Sequence, residues 1–163
     1  MPVEIIKGDM VLSYKNKELD AYAHQCNCFC TMKRGIAVLL SKVNPEVRRS
    51  DNLTTVGNRD KLGKLGQVHT KGFPILFNVY SQYHWREYKE PYGGNTDYSA
   101  LHKGLVSIKK TLYGYIHNPK GSLTLGLPLI GCGLAGGDWD NVVYPMIKEI
   151  FEDSNIYVTV FIL

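Results

Sequence analysis

The stretch Leu127 to Asn141, L-P-L-I-G-C-G-L-A-G-G-D-W-D-N, constrains the fold more than any other. An apolar run, Leu123 to Ile130, leads into it with one Thr and one Gly inside. A continuous apolar run bounded by turn residues reads as a strand buried on both faces. Pro128 interrupts it, because proline cannot donate to a strand ladder. Four glycines follow in seven residues: Gly131, Gly133, Gly136 and Gly137. Asp138 then stands where it can cap a helix running to about Asp153. Strand, glycine loop and helix start together make an anion site. Glycines let the backbone approach a phosphate, and the free N–H groups point at it. Glycines placed only for a tight strand-to-helix turn are the plainer alternative.

With 163 residues, the chain is expected to form one domain with a full core. Met1-Pro2-Val3-Glu4 leads straight into a strand-like run, so no signal peptide is expected. No apolar segment reaches the length of a membrane span. These features predict a cytoplasmic protein that meets no membrane. A net charge of +4 suits an anionic ligand without the overall basicity of a nucleic-acid binder. His24, Cys26, Cys28 and Cys30 alternate, which in a strand puts them on one face. Zinc knuckles use C-x-x-C spacing, so small apolar thiols at a buried strand end are expected instead of a metal site.

In chain order, Val3 to Ile6 predicts a first strand, closed by a turn at Lys7-Gly8-Asp9. Asp9 is either a turn residue bonded to nearby backbone or a ligand acceptor. Met10 to Lys17 reads as irregular. Asp20 to Cys26 predicts a second strand, with Asn27 at its carboxyl edge, where open α/β sheets bind ligands. Gly35 opens an apolar helix that stops near Asn44-Pro45. Glu46 to Lys64 predicts a short helix and a surface loop. Gly66 to His69 and Phe73 to Tyr80 predict strands joined through Lys71-Gly72. Ser81 to Glu87 is an aromatic and polar segment able to grip an adenine or ribose. Tyr88 to Thr96 reads as loop. Asn95 or Thr96 caps a helix to about His117, with Tyr98, Leu101, Leu105, Ile108, Leu112 and Tyr115 on one face. Asn118 to Ser122 is a turn, and Ile156 to Leu163 a terminal strand. Alternating strands and helices with one hairpin give an α/β class with a mixed sheet.

These motifs resemble the macrodomain family over essentially the whole chain. K-G-D-M at Lys7 to Met10 is similar to the family's opening turn, whose aspartate accepts from the adenine amino group. H-Q-C-N at His24 to Asn27 sits where the family reads N-A-A-N. Asn27 matches the asparagine that touches the distal ribose. Gly35-Ile36-Ala37 matches the first phosphate loop, and Ile130 to Gly136 the second. The resemblance implies a three-layer α/β/α fold with a mixed, mostly parallel sheet. It implies ADP-ribose or ADP-ribose 1''-phosphate as ligand, a monomer, no cofactor, and nucleic acid only as an ADP-ribosylated substrate. The ligand set it implies is Gly8, Asp9 and Met10; Gln25, Cys26 and Asn27; Lys33, Arg34, Gly35, Ile36 and Ala37; Gln82; and Ile130, Gly131, Cys132, Gly133, Leu134, Ala135 and Gly136.

Three departures bear on catalysis. The glycohydrolase branch of the family carries a lysine where this chain has Gln82, and an aspartate where it has Ala135. The family's first asparagine is replaced by His24. A similar H-x-C-N occurs in the ADP-ribose 1''-phosphate phosphatase branch, where the histidine is implicated in catalysis. The resemblance therefore implies a phosphatase with His24 as acid or base. Asp138 either orients water or caps its helix. Hydrolysis of ADP-ribose from protein, nucleic acid or O-acetyl-ADP-ribose, and binding without turnover, are the alternatives.

Overall fold

In a computed structural model, which describes residues 2–85, 95–116 and 121–163, the apolar runs pair into one six-stranded sheet. The strands are β1 (Val3–Lys7), β2 (Ala21–Asn27), β3 (Leu65–Val68), β4 (Ile75–Gln82), β5 (Leu123–Leu127) and β6 (Ile156–Ile162). The helices are α1 (Met10–Lys15), α2 (Gly35–Val43), α3 (Glu46–Asn52), α4 (Tyr98–Tyr113) and α5 (Tyr144–Phe151). The sheet order is β1-β6-β5-β2-β4-β3. Every pairing is parallel except β3 with β4, which is the expected hairpin and makes the sheet mixed.

Each face of the sheet has its own core, so the layers are α/β/α. On one face Leu101, Leu105, Ile108 and Leu112 of α4, and Ile147, Ile150 and Phe151 of α5, pack on Ala21, Ala23, Leu125 and Val158. The α4 residues recur at spacings of four and three, one helical stripe. Burying each such side chain contributes roughly 1.5–3 kcal/mol. On the other face Met10 and Tyr14 of α1, Leu40 of α2 and Val47 of α3 cover Tyr22, Cys26, Leu76 and Tyr80. Alternation along β2 sends Tyr22, His24 and Cys26 to this second face and Ala21 and Ala23 to the first.

Several local expectations are corrected. Met10 to Lys15 is helical, not irregular, because the Asp9 carboxylate accepts from the N–H groups of Val11 (2.9 Å) and Leu12 (3.3 Å) and so caps it. β5 stops at Leu127, before Pro128, which has no N–H to continue the ladder. The cap of α4 is Asp97, accepting from Ala100 N–H at 3.0 Å, not Asn95 or Thr96. The helix after Asp138 begins with a π turn, Trp139–Val143, in which the Asp138 carbonyl accepts from both Val142 and Val143. α4 ends at Tyr113, short of the expected His117, and Tyr115 lies beyond it and is exposed. Arg86, Glu87, most of the loop expected at 88–96, and residues 117–120 lie outside the described residues.

One packing detail fixes the register of β2 on β5. Tyr22 pairs with Gly126, and a Cβ at 126 would stand 2.7 Å from the Tyr22 ring. That ring is buried, and its hydroxyl is held by Ser13 Oγ (2.6 Å) and Leu19 N–H (3.0 Å), so it cannot retreat. Gly126→Ala is expected to destabilise the protein by about 1–3 kcal/mol through overpacking, read from the midpoint of urea unfolding.

Candidate functional site

The parallel strands end along one edge, where a cleft of about 1600 Å³ opens. Its two ends are set by the sheet order. Asp9 and Met10 follow β1; Gln82 and Trp85 close β4, four strands away. Four strand spacings are about 19 Å, the scale of an extended dinucleotide-like ligand.

The long walls are the two glycine loops. One leads through Lys33 and Arg34 into α2, where Gly35 has φ +64°. The first-turn N–H groups of α2 have no helical acceptor and favour an anion. The other wall is Ile130 to Gly136. Here the N–H groups of Gly133, Leu134 and Ala135 have no protein acceptor among the described residues. Leu134 is exposed and reaches toward Gly35 across the cleft.

The four glycines do two different jobs. Gly131 and Gly136 have positive φ, both +74°; Gly133 does not. A Cβ on Gly137 would lie 2.4 Å from the Gly131 carbonyl oxygen, so Gly137 is required by the loop's own folding. A Cβ on Gly133 or Gly136 would meet nothing within 4 Å. Among the described residues, no packing contact demands a glycine at 133, and its bare Cα leaves the cleft open.

The loop is fastened from below. The Gly131 carbonyl accepts from Thr96 Oγ1 (2.6 Å, buried) and from Gly137 N–H (2.8 Å). Thr96 Oγ1 in turn accepts from Gln25 Nε2 at 3.1 Å, and Gln25 Oε1 accepts from Ser81 Oγ at 2.6 Å. Gln25 Nε2 also donates to Gln82 Oε1 (3.1 Å), and Gln82 Nε2 to the His84 carbonyl (2.7 Å). Both ends of the Gln82 amide are thus engaged in a neutral network. At the first loop, Asn27 Oδ1 accepts from Phe29 N–H (2.8 Å) and its Nδ2 donates to Thr31 Oγ1 (2.7 Å), which bends the chain away from β2. A register shift between Cys26 and Asn27 sets Asn27 beside Gln82.

The cleft is lined by Gly8, Asp9, Met10, Gln25, Cys26, Asn27, Lys33, Arg34, Gly35, Ile36, Ala37 and Gln82, and by Ile130, Gly131, Gly133, Leu134, Ala135 and Gly136. Three expected residues are not brought there. His24 is fully buried on the opposite side of β2 from Gln25, beneath α3. Its Nε2 bonds Asn78 Oδ1 at 2.7 Å, and Asn78 Nδ2 donates to the Val47 carbonyl. Burial, opposed by the Asn78 bond, lowers its pKa to about 4. A neutral core histidine off the cleft cannot act as its acid or base, which corrects the catalytic expectation. Asp138 is also outside: its Oδ1 caps the following turn by accepting from Asn141 N–H at 3.1 Å. Cys132 packs on the α4–α5 core, where burial pushes its thiol up to about 12.

Cleft residues outside the expected set include Asp51, Asn95 and the terminal Phe161 to Leu163. Phe161 follows from topology: β6 pairs with β1, so its carboxyl end adjoins Gly8, whose N–H donates to the Ile162 carbonyl at 2.8 Å. Asp51 carried no signal; it is buried, accepts from Tyr80 Oη at 2.7 Å, and burial raises its pKa. No three His, Cys, Asp or Glu side chains among the described residues are grouped to hold a metal ion.

No family model matches the chain. It is 35% identical over 145 residues to an uncharacterized 17.5 kDa protein in the tk-vs intergenic region of Enterobacteria phage T4, covering 86% of this chain and 84% of that one. It is 31% identical over 162 residues to the Homo sapiens ADP-ribose glycohydrolase OARD1, covering 99% and 91% respectively. The macrodomain of Thermus aquaticus DarG superposes with a TM-score of 0.72 at 16% identity, covering 99% of this chain and 98% of that one.

The depressed His24 pKa has a consequence for stability. Above about pH 6.5 the ring is neutral both folded and unfolded, and it imposes no penalty. Between pH 6.5 and about 4 only the unfolded chain takes the proton, so stability falls as pH falls. The loss is roughly 3 kcal/mol, from 1.36 kcal/mol per pKa unit. Urea unfolding of wild type and His24→Gln at pH 7 and pH 4 checks this: the variant is expected to lose about that much less stability on acidification.

Proposed function

The chain belongs to the macrodomain family, and from that premise we propose that its cleft binds ADP-ribose and that it hydrolyses ADP-ribose derivatives substituted on the distal ribose. One observation carries the binding half: the N–H groups of Gly133, Leu134 and Ala135 have no protein acceptor among the described residues, and these residues line the same cleft as Gly35 to Ala37 at the start of α2. A diphosphate between them accepts from both walls at once. The adenine then lies at the β1 end, near Asp9 and Phe161, and the distal ribose at the β4 end, near Asn27 and Gln82.

Hydrolysis is supported by the 31% identity, over 99% of this chain, to a protein named as an ADP-ribose glycohydrolase. Gln82 and Ala135 leave no titratable side chain at the two positions where the glycohydrolase branch carries lysine and aspartate. His24 is in the core. The chemistry therefore rests on positioning a water and on backbone dipoles that stabilise developing negative charge. Binding without turnover is the second reading, and the neutral Gln25–Gln82 network favours it. ADP-ribose 1''-phosphate is retained as one substrate to assay, without His24 in the reaction.

Calorimetric titration with ADP-ribose tests the binding, and release assays on ADP-ribose 1''-phosphate, O-acetyl-ADP-ribose and ADP-ribosylated protein and DNA test the turnover. Binding with product from at least one substrate is expected; binding with none selects the second reading. Gly133→Val is expected to abolish binding with its unfolding midpoint unchanged, since its side chain enters only the cleft. Normal affinity in that variant contradicts the diphosphate placement. At the other end, Asp9→Asn keeps a capping acceptor while Asp9→Ala loses about 1 kcal/mol of stability. Both are expected to weaken ADP-ribose binding by about 1.5–3 kcal/mol, the worth of a hydrogen bond to a charged group.

A further inference from the structure

We propose that Asp51, at the distal-ribose end of the cleft, is a catalytic residue whose carboxylate holds the attacking water and takes its proton. This rests on the reading of the cleft as an ADP-ribose site and names the group that positions the water.

The first observation is that the cleft holds few groups able to take a proton. Among the described residues that line it, the carboxylate side chains are Asp9 and Asp51. Asp9 follows β1, four strands from Gln82, and its Oδ1 caps α1. Cys26 is buried, and burial, followed by the nearby Asp51, holds its thiol well above the usual range. Lys33 and Arg34 are basic and suit a phosphate. Asp51 is the group left to serve as base.

The second observation is where Asp51 is held. Its Oδ1 accepts from Tyr80 Oη at 2.7 Å. Tyr80 pairs with Cys26, the strand pair just before Asn27 and Gln82, so the bond ties Asp51 to the distal-ribose end of the sheet edge. The Asp51 carbonyl accepts from Cys30 Sγ (3.1 Å) and Thr54 Oγ1 (2.6 Å), which fixes the end of α3 against the turn after Asn27. A base fixed in this way is preorganised for one water position.

The third observation is that the carboxylate is thinly compensated. Asp51 is 1% exposed, and no lysine or arginine among the described residues stands within ion-pair distance of it. Lys61 Nζ donates to the Cys28 carbonyl (3.0 Å) and Arg48 Nη2 to the Met32 carbonyl (2.6 Å). Asp51 Oδ2 accepts no hydrogen bond among the described residues. A carboxylate kept only for structure is paired, because an unpaired buried charge is costly; retained in a cleft, it marks a functional site. The titratable and charged groups around it are Tyr80 of β4, Cys26 of β2, Cys28 and Cys30 of the following turn, Arg48 of α3, and Lys61 of the one-turn helix Arg59–Lys61. Burial raises the Asp51 pKa, opposed by the Tyr80 bond and by Lys61 and Arg48. A base moved toward the working pH takes a proton more readily.

In the step, the water oxygen bonds to the electrophilic atom of the substituted distal ribose as Asp51 takes the water proton. The bond from that atom to its leaving oxygen breaks, and the electron pair stays on the oxygen. Asp51 then returns the proton to that oxygen, so one water is consumed and the carboxylate is restored.

The test is initial rates against pH on O-acetyl-ADP-ribose, ADP-ribose 1''-phosphate and ADP-ribosylated protein. Asp51→Asn keeps an acceptor for Tyr80. It is expected to bind ADP-ribose in the calorimeter as wild type does and to lower kcat by about 10²–10⁴-fold on each substrate that wild type turns over. Tyr80→Phe keeps the carboxylate and removes the bond that favours its charged form. Its acid limb of kcat/KM is expected to move to higher pH, with turnover retained above the limb. A purely structural Asp51 does not move that limb, and the Tyr80→Phe profile decides if Asp51→Asn fails to fold. Wild-type kcat in Asp51→Asn, or an acid limb unmoved in Tyr80→Phe, overturns the proposal alone. ADP-ribose binding by wild type with no turnover overturns it together with the hydrolysis reading. Failure of wild type to bind ADP-ribose overturns the cleft reading itself.

Discussion

The carbonyl oxygen of Gly131 is the point on which the cleft depends. It sits where β5 has ended and the chain must turn back over the sheet edge. Two donors converge on it, the Thr96 hydroxyl and the Gly137 N–H, one from the segment before α4 and one from the loop's own far side. An unsatisfied buried carbonyl costs about 1–3 kcal/mol, so the pair stabilises the closed loop strongly against alternatives. The same closure leaves the N–H groups of Gly133, Leu134 and Ala135 without a protein acceptor among the described residues. Gly131 and Gly137 serve the closure, and the bare Cα of Gly133 serves the space that the donors face.

Beneath the loop, the polar chain from Ser81 through Gln25 to Thr96 and Gln82 ties the ends of β2 and β4 to the segment that fastens Gly131. All of its members are neutral. Such a network offers neutral donors and acceptors, and no group in it exchanges a proton near neutrality. The positions where the resemblance implies a lysine and an aspartate hold Gln82 and Ala135 here. Charged side chains stand outside this network, Lys33 and Arg34 among them on the cleft.

Much of the frame was legible because each strand is a dense apolar run and each helix stripe recurs at three and four residues. Leu101, Leu105, Ile108 and Leu112 announced α4, and Gly131 to Gly137 announced the loop. The failures are physical, not random. α1 was missed because six residues hold too little periodicity to read, and the aspartate that caps it has two plausible jobs. His24 was misread because alternation assigns residues to faces of a strand without saying which face meets the ligand. Gln25, its neighbour, points to the loop; His24 points under α3. Asp51 joins the cleft from a helix far from any motif, through Tyr80, and pairing of that kind is invisible in a linear sequence. Cys132 and Asp138 lie within or beside the loop in sequence, yet loop closure turns one into the core and the other outward to its cap.

The central claim is that the second glycine loop holds a diphosphate with its own backbone. Titrating ¹⁵N-labelled protein with ADP-ribose and following amide resonances tests it most directly. Large downfield shifts of the Gly133, Leu134 and Ala135 amides, with shifts at Ile36 and Ala37 and little change in α4 or β3, are the result this account requires. Saturable binding that leaves those three amides where they were would contradict it.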